Sequence, residues 1–394
     1  MAGRKVAKTG NEAMAEVMRQ INPDVVAAYP ITPATEVVQI FSQFAADGAV
    51  DTEFIAVESE HSALSATMGA AASGARAMTV TSSQGLALMY EMMYIAAALR
   101  LPIVLPEVNR ALSAPINIHC DHSDTMGARD AGWIQIFSEN SQEAYDNIVQ
   151  AVRICEHPDV RLPALVTTDG FIISHCMETM EILGDAEVRD YVGPYTPAAS
   201  LLDPAAPHTL GAIDLQDYYF EHRRQLAEAM RQAKARIVAV GKEFGARFGR
   251  PYGLFESYRL DDAEVGLVLL GSTAGTAKMV VDALRADGRK VGLLKLRVFR
   301  PFPYEEMAAA LSRLKAVAVM DRSDGLAGYG GPLFDHVRSA LFDLERKPRV
   351  VDYVYGLGGR DISLDDIRAV FDRLAAVAAT GRVDPLITYL GVRD

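Results

Sequence analysis

The chain has 394 residues and a formal net charge of −12; half of its residues are hydrophobic and 23% are charged. This length suits two domains, and the composition is that of a globular enzyme without the roughly 18–20-residue apolar run that a membrane span requires. The acidic balance, with no basic stripe, argues against nucleic acid as the main partner.

Strand and helix patterns alternate over residues 1–180. Short apolar segments predict strands at 25–28, 53–57, 77–81, 103–108 and 165–168. Helices are predicted at 35–46 and, in a methionine-rich segment, at 86–100. Short apolar strands separated by helices indicate a parallel sheet, so this part is predicted to be an α/β domain.

Residues 181–260 have a different pattern, because prolines interrupt the first half and a charged amphipathic helix is predicted at 216–244. We interpret this span as a connection between domains. The α/β pattern resumes in the remaining residues, with strands predicted at 265–270, 290–296, 316–320 and 350–354. Residues 261–394 are therefore predicted to form a second, smaller α/β domain.

The cysteines Cys120, Cys155 and Cys176 are widely spaced and form no CxxC pattern. An iron–sulfur cluster, a zinc site or a disulfide framework is therefore not expected within this chain. The N-terminal residues also lack the apolar region of a secretion signal. Together these features predict a cytoplasmic protein in a reducing compartment.

Polar and glycine-containing clusters follow several predicted strands, at 29–33, 58–62, 82–85 and 109–115. In open α/β sheets, ligands bind outside the carboxyl ends of the strands, so these clusters predict one convergent site. Glu58 and Glu60 lie at a predicted strand-to-helix turn. Either they complement the helix dipole, or one of them faces a buried cofactor and handles a proton.

Two further residues are candidates for binding an anion. Thr32 lies between two prolines in a stiff turn, where its hydroxyl could face an anion, cap the following helix, or do both. Arg110 follows a predicted strand, where its guanidinium could hold a carboxylate or pair with Glu107. The segment 121–124 (DHSD) favours a loop hydrogen-bond network over a metal site, and we assign no metal ligand to this chain.

The combined motifs resemble the α subunit of 2-oxoacid:ferredoxin oxidoreductases, with the pyruvate-specific branch as the best match. The motifs are YPITP (29–33), ESEHSA (58–63), SQGL (83–86), NRALSAP (109–115), RDAGWIQ (129–135), ENSQEA (139–144), DGF (169–171), RPFP (300–303) and GLGGRD (356–361). The resemblance covers nearly the whole chain. It implies that 1–180 is the pyrimidine-binding domain of a thiamine diphosphate enzyme, 181–260 a helix-containing interdomain connection, and 261–394 a domain like the transketolase C-terminal domain.

The resemblance also implies roles for individual residues. Glu60 would be catalytic: its carboxyl group would hydrogen-bond the cofactor's aminopyrimidine and favour the imino tautomer that deprotonates the thiazolium. Thr32 and Arg110 would hold the 2-oxoacid carboxylate. The other cofactor-binding positions implied are Tyr29, Pro30, Ile31, Ser83, Gln84 and Gly85.

The expected reaction is the CoA-dependent oxidative decarboxylation of pyruvate to acetyl-CoA and CO2, or its reverse, with ferredoxin as electron carrier. Three cysteines are too few for a [4Fe–4S] cluster, which takes about four. The chain also lacks the Gly-Asp-Gly motif with a downstream asparagine that holds Mg²⁺ and diphosphate in thiamine diphosphate enzymes. The resemblance therefore places Mg²⁺ and the diphosphate half-site on a β subunit, and the clusters on γ/δ-type subunits.

Alternatives remain open at this point. The same family includes enzymes for branched-chain 2-oxoacids and 2-oxoglutarate, whereas oxalate is disfavoured because the oxalate enzyme has arginine at the position of Thr32. A transketolase-like subunit that works without ferredoxin would share the pyrimidine-binding glutamate. A scaffold that only organises cluster-bearing subunits is the non-enzymatic alternative.

Overall fold

In the computed structural model, which describes residues 3–326 and 328–393, strands and helices alternate along most of the chain. The strands are β1 (Arg4–Thr9), β2 (Val25–Ala28), β3 (Glu53–Ala56), β4 (Ala77–Met78), β5 (Val104–Asn109), β6 (Ile134–Phe137), β7 (Ala164–Asp169), β8 (Met177–Ile182), β9 (Phe255–Tyr258), β10 (Val265–Leu269), β11 (Val291–Leu296), β12 (Val298–Arg300), β13 (Ala316–Asp321), β14 (Arg349–Val354) and β15 (Ile387–Tyr389). The helices are α1 (Gly10–Ile21), α2 (Thr35–Ala46), α3 (Glu60–Ala72), α4 (Ser83–Leu88), α5 (Tyr90–Ala98), α6 (Ser123–Gly127), α7 (Ser141–Cys155), α8 (Asp185–Val192), α9 (Tyr219–Phe248), α10 (Thr273–Ala286), α11 (Tyr304–Leu311), α12 (Pro332–Leu341) and α13 (Leu364–Thr380), with a 3₁₀ turn at Leu357–Gly359.

The first sheet has the strand order β12–β6–β7–β5–β4–β2–β3, and its neighbouring strands are parallel except for β12, which runs antiparallel to β6. Every residue of β5 and β7 is buried. Strands covered on both faces have apolar residues at successive positions, which explains why the sequence revealed them. The predicted parallel α/β fold is confirmed, and the carboxyl ends of these strands share one edge.

The second sheet has the order β15–β14–β13–β10–β11–β9, with β9 antiparallel and the other neighbours parallel. β1 and β8 form a separate antiparallel pair. Among the described residues, no helix combines the length and the apolar character needed to cross a membrane.

Two predicted elements differ from the structure near the first sheet. The strand predicted at 77–81 is only Ala77–Met78, but Thr81 still forms an isolated parallel bridge with Glu107 of β5, in which Val108 N–H donates to the Thr81 carbonyl at 3.2 Å. Beyond it, Ser82 Oγ donates to the Val108 carbonyl at 2.6 Å. The helix predicted at 86–100 is two helices, α4 and α5, which meet at Met89. The first of them begins at Ser83, so the SQGL motif lies in its first turn.

The first half of the chain (residues 1–180) shares its hydrophobic core with the connection (181–260) and its sheet with the second half (261–394). The buried face of α9 packs into the same hydrophobic core as the first sheet, through side chains at Leu226, Ala229, Ala233, Ile237, Val240 and Phe244. In addition, β12 comes from the second half but pairs with β6 of the first sheet. The domain boundaries at 180 and 260 stay predictions, but the helix of the connection belongs physically to the first core.

Buried ion pairs also join the two halves. Lys295 on β11 donates to Glu139 Oε2 at 2.8 Å and to Glu143, and the Lys295 side chain is 4% exposed. Arg322, which follows β13, contacts Asp169 at the end of β7 at 3.2 Å. A buried pair is costly to break by removing one partner, so these contacts fix how the second half sits on the first.

A pair of buried aspartates holds the N-terminus of α12. Asp321 accepts from the backbone N–H groups of Leu333 and Phe334, both at 2.9 Å, and Asp352 accepts from Gly331 N–H at 2.8 Å. Burial raises the pKa of Asp321 well above its usual range, with the Asp352 charge adding to the effect, and burial raises the pKa of Asp352 to about 6. Between about pH 4 and pH 6, these two carboxyl groups are therefore more protonated in the folded chain than in the unfolded chain.

We expect Asp352→Asn to weaken the pH dependence of stability. An unfolded aspartate has a pKa of about 3.9, so the contribution of the pair is complete below that pH and is lost as the pH rises through about 6. An asparagine carries no such proton. Urea midpoints followed by circular dichroism should therefore fall less for Asp352→Asn than for wild type between about pH 4 and pH 7.5. Asp343→Asn, at an exposed position of the same half, is the control; parallel curves for Asp352→Asn and wild type would contradict the prediction.

Candidate active site

Asp124 holds two of the four predicted clusters together. Its Oδ2 accepts the backbone N–H groups of Ser83 at 3.1 Å and Arg110 at 2.8 Å, and its Oδ1 accepts from Asn109 Nδ2 at 2.9 Å. Asp124 is buried at the start of α6. One carboxylate therefore fixes the turn after β4 to the turn after β5, and the clusters 82–85 and 109–115 do meet at the sheet edge as predicted.

Arg110 extends from this anchor toward the YPITP turn. Its side chain donates from Nη1 to the Thr32 carbonyl at 2.9 Å and from Nε to the Asn117 carbonyl at 3.2 Å, and the residue is 7% exposed. A guanidinium has five N–H donors, so these two bonds orient the group without using all of them. The structure thus brings together the two residues predicted to hold a carboxylate.

The alternative ion pair between Arg110 and Glu107 is not formed. Glu107 is fully buried on β5, where burial raises the pKa of its carboxyl group well above its usual range and the neighbouring Asp124 raises it further. The alternative role of Thr32 as a helix cap is also wrong, because α2 has Ala34 as its N-cap and no side-chain cap.

The structure distinguishes the two glutamates that the sequence left equivalent. Glu58 is exposed and accepts from Ser62 Oγ at 2.6 Å, a hydrogen bond that lowers the pKa of Glu58. Glu60 is the first residue of α3 and is 7% exposed. Its carboxyl group lies against Gly85, where a Cβ would come within 2.9 Å of Glu60 Oε1. Glu60 is therefore the buried acid of this turn, set against the SQGL motif.

The remaining predicted cofactor-binding residues occupy different environments. Ser83 is buried, and its hydroxyl contacts the Ala111 carbonyl at 2.8 Å and Gln84 Oε1 at 2.7 Å, so it holds the framework. Gln84 and Ile31 are half-buried, whereas Tyr29 and Pro30 are exposed. The site is therefore walled on the side of Glu60 and Gly85 and open on the side of the YPITP turn.

Gly85 is the position where added bulk should displace Glu60. A Cβ there would lie 2.3 Å from Thr81 Oγ1 and 2.8 Å from Glu60 Cγ, both closer than atoms can approach. We expect Gly85→Ala to lower kcat about tenfold or more, since small misplacements of a reacting group have effects of that order. Gly127→Ala in α6, where an added Cβ meets nothing within 4 Å, is the control in the same assay. Equal activity of both variants would show that Glu60 tolerates the shift.

A second buried polar cluster lies behind the site. His122 Nε2 lies 2.8 Å from Asp169 Oδ1, and Asp169 Oδ2 accepts from Ser272 N–H at 3.0 Å and contacts Arg322 at 3.2 Å. Although burial opposes ionisation, His122 and Arg322 hold the pKa of Asp169 below its usual range. Cys120 offers a sulfur nearby. Because Arg322 already supplies a positive charge to Asp169, this cluster is an ion-pair network linking the two halves of the chain.

The predicted hydrogen-bond network of residues 121–124 is confirmed, with Asp121 Oδ1 accepting from Ser123 N–H at 3.0 Å in addition to the bonds of Asp124. The sequence did not reveal the partners of this network. Asp169 and Arg322 are 153 residues apart and join only in the folded chain. The anchoring role of Asp124 was not predicted, because nothing in the sequence pattern showed that this carboxylate would be buried.

Comparisons with known proteins identify the family of this chain, and one of the matching family profiles is that of a thiamine diphosphate-binding domain. The family profile described as "Pyruvate flavodoxin/ferredoxin oxidoreductase, thiamine diP-bdg" matches residues 16–242, and that of "Pyruvate:ferredoxin oxidoreductase core domain II" matches residues 263–367. The chain belongs to the pyruvate:ferredoxin oxidoreductase family.

Similar curated proteins carry names from this family. The pyruvate synthase subunit PorA of Thermotoga maritima is 56% identical over 93% of this chain and 94% of its own length. The PorA subunit of Methanocaldococcus jannaschii is 48% identical over the same shares. The ketoisovalerate oxidoreductase subunit VorA of Pyrococcus horikoshii is 41% identical over 98% of this chain and 97% of its own length.

Solved structures support the fold. A 2-oxoglutarate:ferredoxin oxidoreductase from Magnetococcus marinus matches with a TM-score of 0.73 at 20% identity, covering 94% of this chain and 65% of that longer chain. A split-gene transketolase matches with a TM-score of 0.54 at 11% identity, covering 94% of this chain and 99% of that chain. At these identities the likeness concerns the fold alone.

Proposed function

We propose that this chain is the α subunit of a multi-subunit pyruvate:ferredoxin oxidoreductase, which converts pyruvate and CoA to acetyl-CoA and CO2 or catalyses the reverse. The observation that carries the proposal is the shared sheet edge, where buried Glu60 lies against Gly85 and Arg110 reaches Thr32. Relatives named pyruvate synthase, 43–56% identical over at least 93% of this chain, favour pyruvate.

The residues present fit one side of thiamine diphosphate. Gly85 has no side chain, so the backbone of the SQGL motif comes close to the buried Glu60 carboxyl group, whose Oε1 would lie 2.9 Å from any Cβ added there. When bound, the cofactor supplies the group that adds to the keto carbon and takes up the electrons left by CO2. Glu60 would hydrogen-bond the aminopyrimidine and hold a proton at Oε1, while Gln84, Tyr29, Pro30 and Ile31 would border the ring.

The substrate carboxylate would be held by Arg110 and Thr32. The two carbonyls that bind Arg110 fix the direction of the guanidinium, which leaves N–H groups for a bidentate contact. The Thr32 side chain is exposed at the same turn and would supply a hydroxyl. Fixing the carboxylate orients the neighbouring keto carbon, and such positioning is a large part of catalysis.

Partner subunits would supply what this chain lacks. We propose that a β subunit provides the diphosphate and Mg²⁺ half of the site, that γ/δ-type subunits carry [4Fe–4S] clusters, and that ferredoxin receives the electrons in the cytoplasm. The three cysteines support this division: Cys120 and Cys155 are buried and only Cys176 is exposed, so they do not form a cluster-binding set. The exposed YPITP turn is where a partner would complete the site.

A branched-chain 2-oxoacid is the second candidate substrate, because the VorA relatives are 41–42% identical. The test is native purification of the complex and anaerobic, CoA-dependent reduction of methyl viologen with pyruvate, ketoisovalerate and 2-oxoglutarate. We expect pyruvate to give the highest kcat/KM. A higher value with ketoisovalerate would reassign the substrate. A colourless protein inactive with all three would favour a transketolase-like enzyme, and an inactive chain in a cluster-bearing complex would favour a scaffold.

A further inference from the structure

The GLGGRD loop (356–361) of the second half lies against the loop that follows Arg110. Gly358 is bonded on both sides: its carbonyl accepts from Asn117 Nδ2 at 3.0 Å, and its N–H donates to Asp121 Oδ2 at 3.2 Å. Both bonds cross between the halves of the chain. The first half thus presents two polar side chains of one loop to a single residue of the second half.

Asn117 in turn contacts the arginine of the site. Its backbone carbonyl accepts from Arg110 Nε at 3.2 Å, while Arg110 Nη1 donates to the Thr32 carbonyl at 2.9 Å. The guanidinium is therefore set between two carbonyl groups, one on each side. Thr32 lies in a turn stiffened by prolines, whereas Asn117 lies in a largely exposed loop. The position of Asn117 therefore depends on the contacts that hold this loop in place.

Glycine is required at the contact. Gly358 has φ +60° and Gly359 has φ +78°, in the left-handed region that other residues seldom adopt. A Cβ on Gly358 would lie 2.3 Å from Asn117 Nδ2, and one on Gly359 would lie 2.4 Å from His119 Cβ. The left-handed backbone conformation of this loop and its close approach to Asn117 and His119 therefore both require glycine at 358 and 359.

The far end of the same loop is fixed independently. His122 donates its backbone N–H to the Arg322 carbonyl at 2.8 Å, and its ring contacts Asp169 at 2.8 Å. The loop is consequently held at one end by β5 and at the other by the buried ion-pair network. Gly358 contacts it between these ends, next to the residue that touches Arg110.

We propose that the GLGGRD loop positions the carboxylate-binding arginine: Gly358 holds Asn117, and the Asn117 carbonyl directs the Arg110 guanidinium toward Thr32. Asn117 and Gly358 are positioning residues that do not touch the substrate. The inference rests on the proposed function only for the identity of the ligand as a 2-oxoacid. It gives the second half of the chain a part in substrate binding.

The test compares Asn117→Ala and Gly358→Ala in the complete complex with wild type. We expect each to raise KM for pyruvate about tenfold or more with a smaller change in kcat, because loss of orientation weakens a contact made by substrate and transition state alike. KM for CoA should stay within about twofold. Gly288→Ala is the matched control, since Gly288 also has a positive φ (+80°) but an added Cβ there meets nothing within 4 Å. A purely structural defect would move both KM values.

The effects of the double variant Asn117→Ala/Gly358→Ala should be smaller than the sum of the two single effects, since both changes disturb the contact between Asn117 Nδ2 and the Gly358 carbonyl. Asn117→Ala also removes the bond that Asn117 Oδ1 accepts from His119 N–H at 2.8 Å. If KM for pyruvate in both single variants stays within about twofold of wild type, the proposal is overturned; if Gly358→Ala does not fold, Asn117→Ala decides alone. Hydrogen exchange of the backbone amides of residues 110–119 is a second readout, which tests the proposal without relying on the proposed function. Faster exchange in Gly358→Ala, but not in Gly288→Ala, supports the coupling even if no 2-oxoacid is turned over, and unchanged exchange overturns it.

Discussion

Replacing Glu60 by glutamine is expected to lower kcat of the reconstituted complex by at least about 100-fold, the usual contribution of a positioned acid or base. Glutamine keeps the shape of the side chain beside Gly85 but cannot take up or release a proton. The measurement is pyruvate- and CoA-dependent viologen reduction, with thiamine diphosphate content determined in parallel. A loss of turnover at full cofactor content would place the defect in the chemistry.

Glu58→Gln is the matched control for this experiment. It makes the same chemical change two residues earlier in the chain, at an exposed carboxylate bonded to Ser62. Its activity should stay within about twofold of wild type, because surface substitutions of this kind have small effects. If Glu60→Gln also stays within a few-fold of wild type, Glu60 is not the catalytic acid and the scaffold alternative gains.

Arg110→Ala is expected to raise KM for pyruvate on the order of 100-fold or more, since truncating one partner of a desolvated, hydrogen-bonded charge pair costs about 2–5 kcal/mol. KM for CoA should change little, because Arg110 is directed toward Thr32, where the pyruvate carboxylate would bind. Arg110→Lys should recover only part of the affinity, since an ammonium group cannot bind a carboxylate with two parallel N–H groups.

Arg100→Ala provides the comparison for Arg110→Ala. Arg100 also donates to backbone carbonyls, those of Arg161 at 3.1 Å and Val160 at 2.5 Å, but it precedes β5 and so lies toward the opposite edge of the sheet. Losing its bonds should affect stability more than either KM. If Arg110→Ala raises both KM values equally, as a structural arginine would, its assignment to the substrate carboxylate fails.

Sequence patterns predicted the parallel sheet because its central strands are apolar on both faces, as in β5 and β7. The antiparallel pair β1 and β8 was missed, since only Met180 and Ile182 among its residues are buried and neither strand shows a continuous apolar run or a regular apolar–polar alternation. The division of residues 86–98 at Met89 was also missed, because no proline or glycine marks it. Local composition does not encode a helix break that tertiary packing imposes.

The sequence predicted which residues form the candidate site, but it did not predict their burial or their contacts. Strand ends indicated Thr32, Glu60, Ser83 and Arg110, and the structure gathers them at one edge. Burial separated Glu60 from Glu58, and that difference comes from the packing of Gly85 in another segment. These contacts join segments that are distant in sequence, so no local sequence pattern predicts them.

The pairing of β12 with β6 has a consequence for how such a gene could be divided. A break in the connection between residues 181 and 260 would leave the first polypeptide with β6 as an open edge, and that strand, Ile134–Phe137, is wholly buried in the intact chain. Unpaired apolar edges recruit other strands and lead to aggregation. The two products would therefore have to associate by strand donation, and fission of the gene would be tolerated only if both pieces were made together in matched amounts.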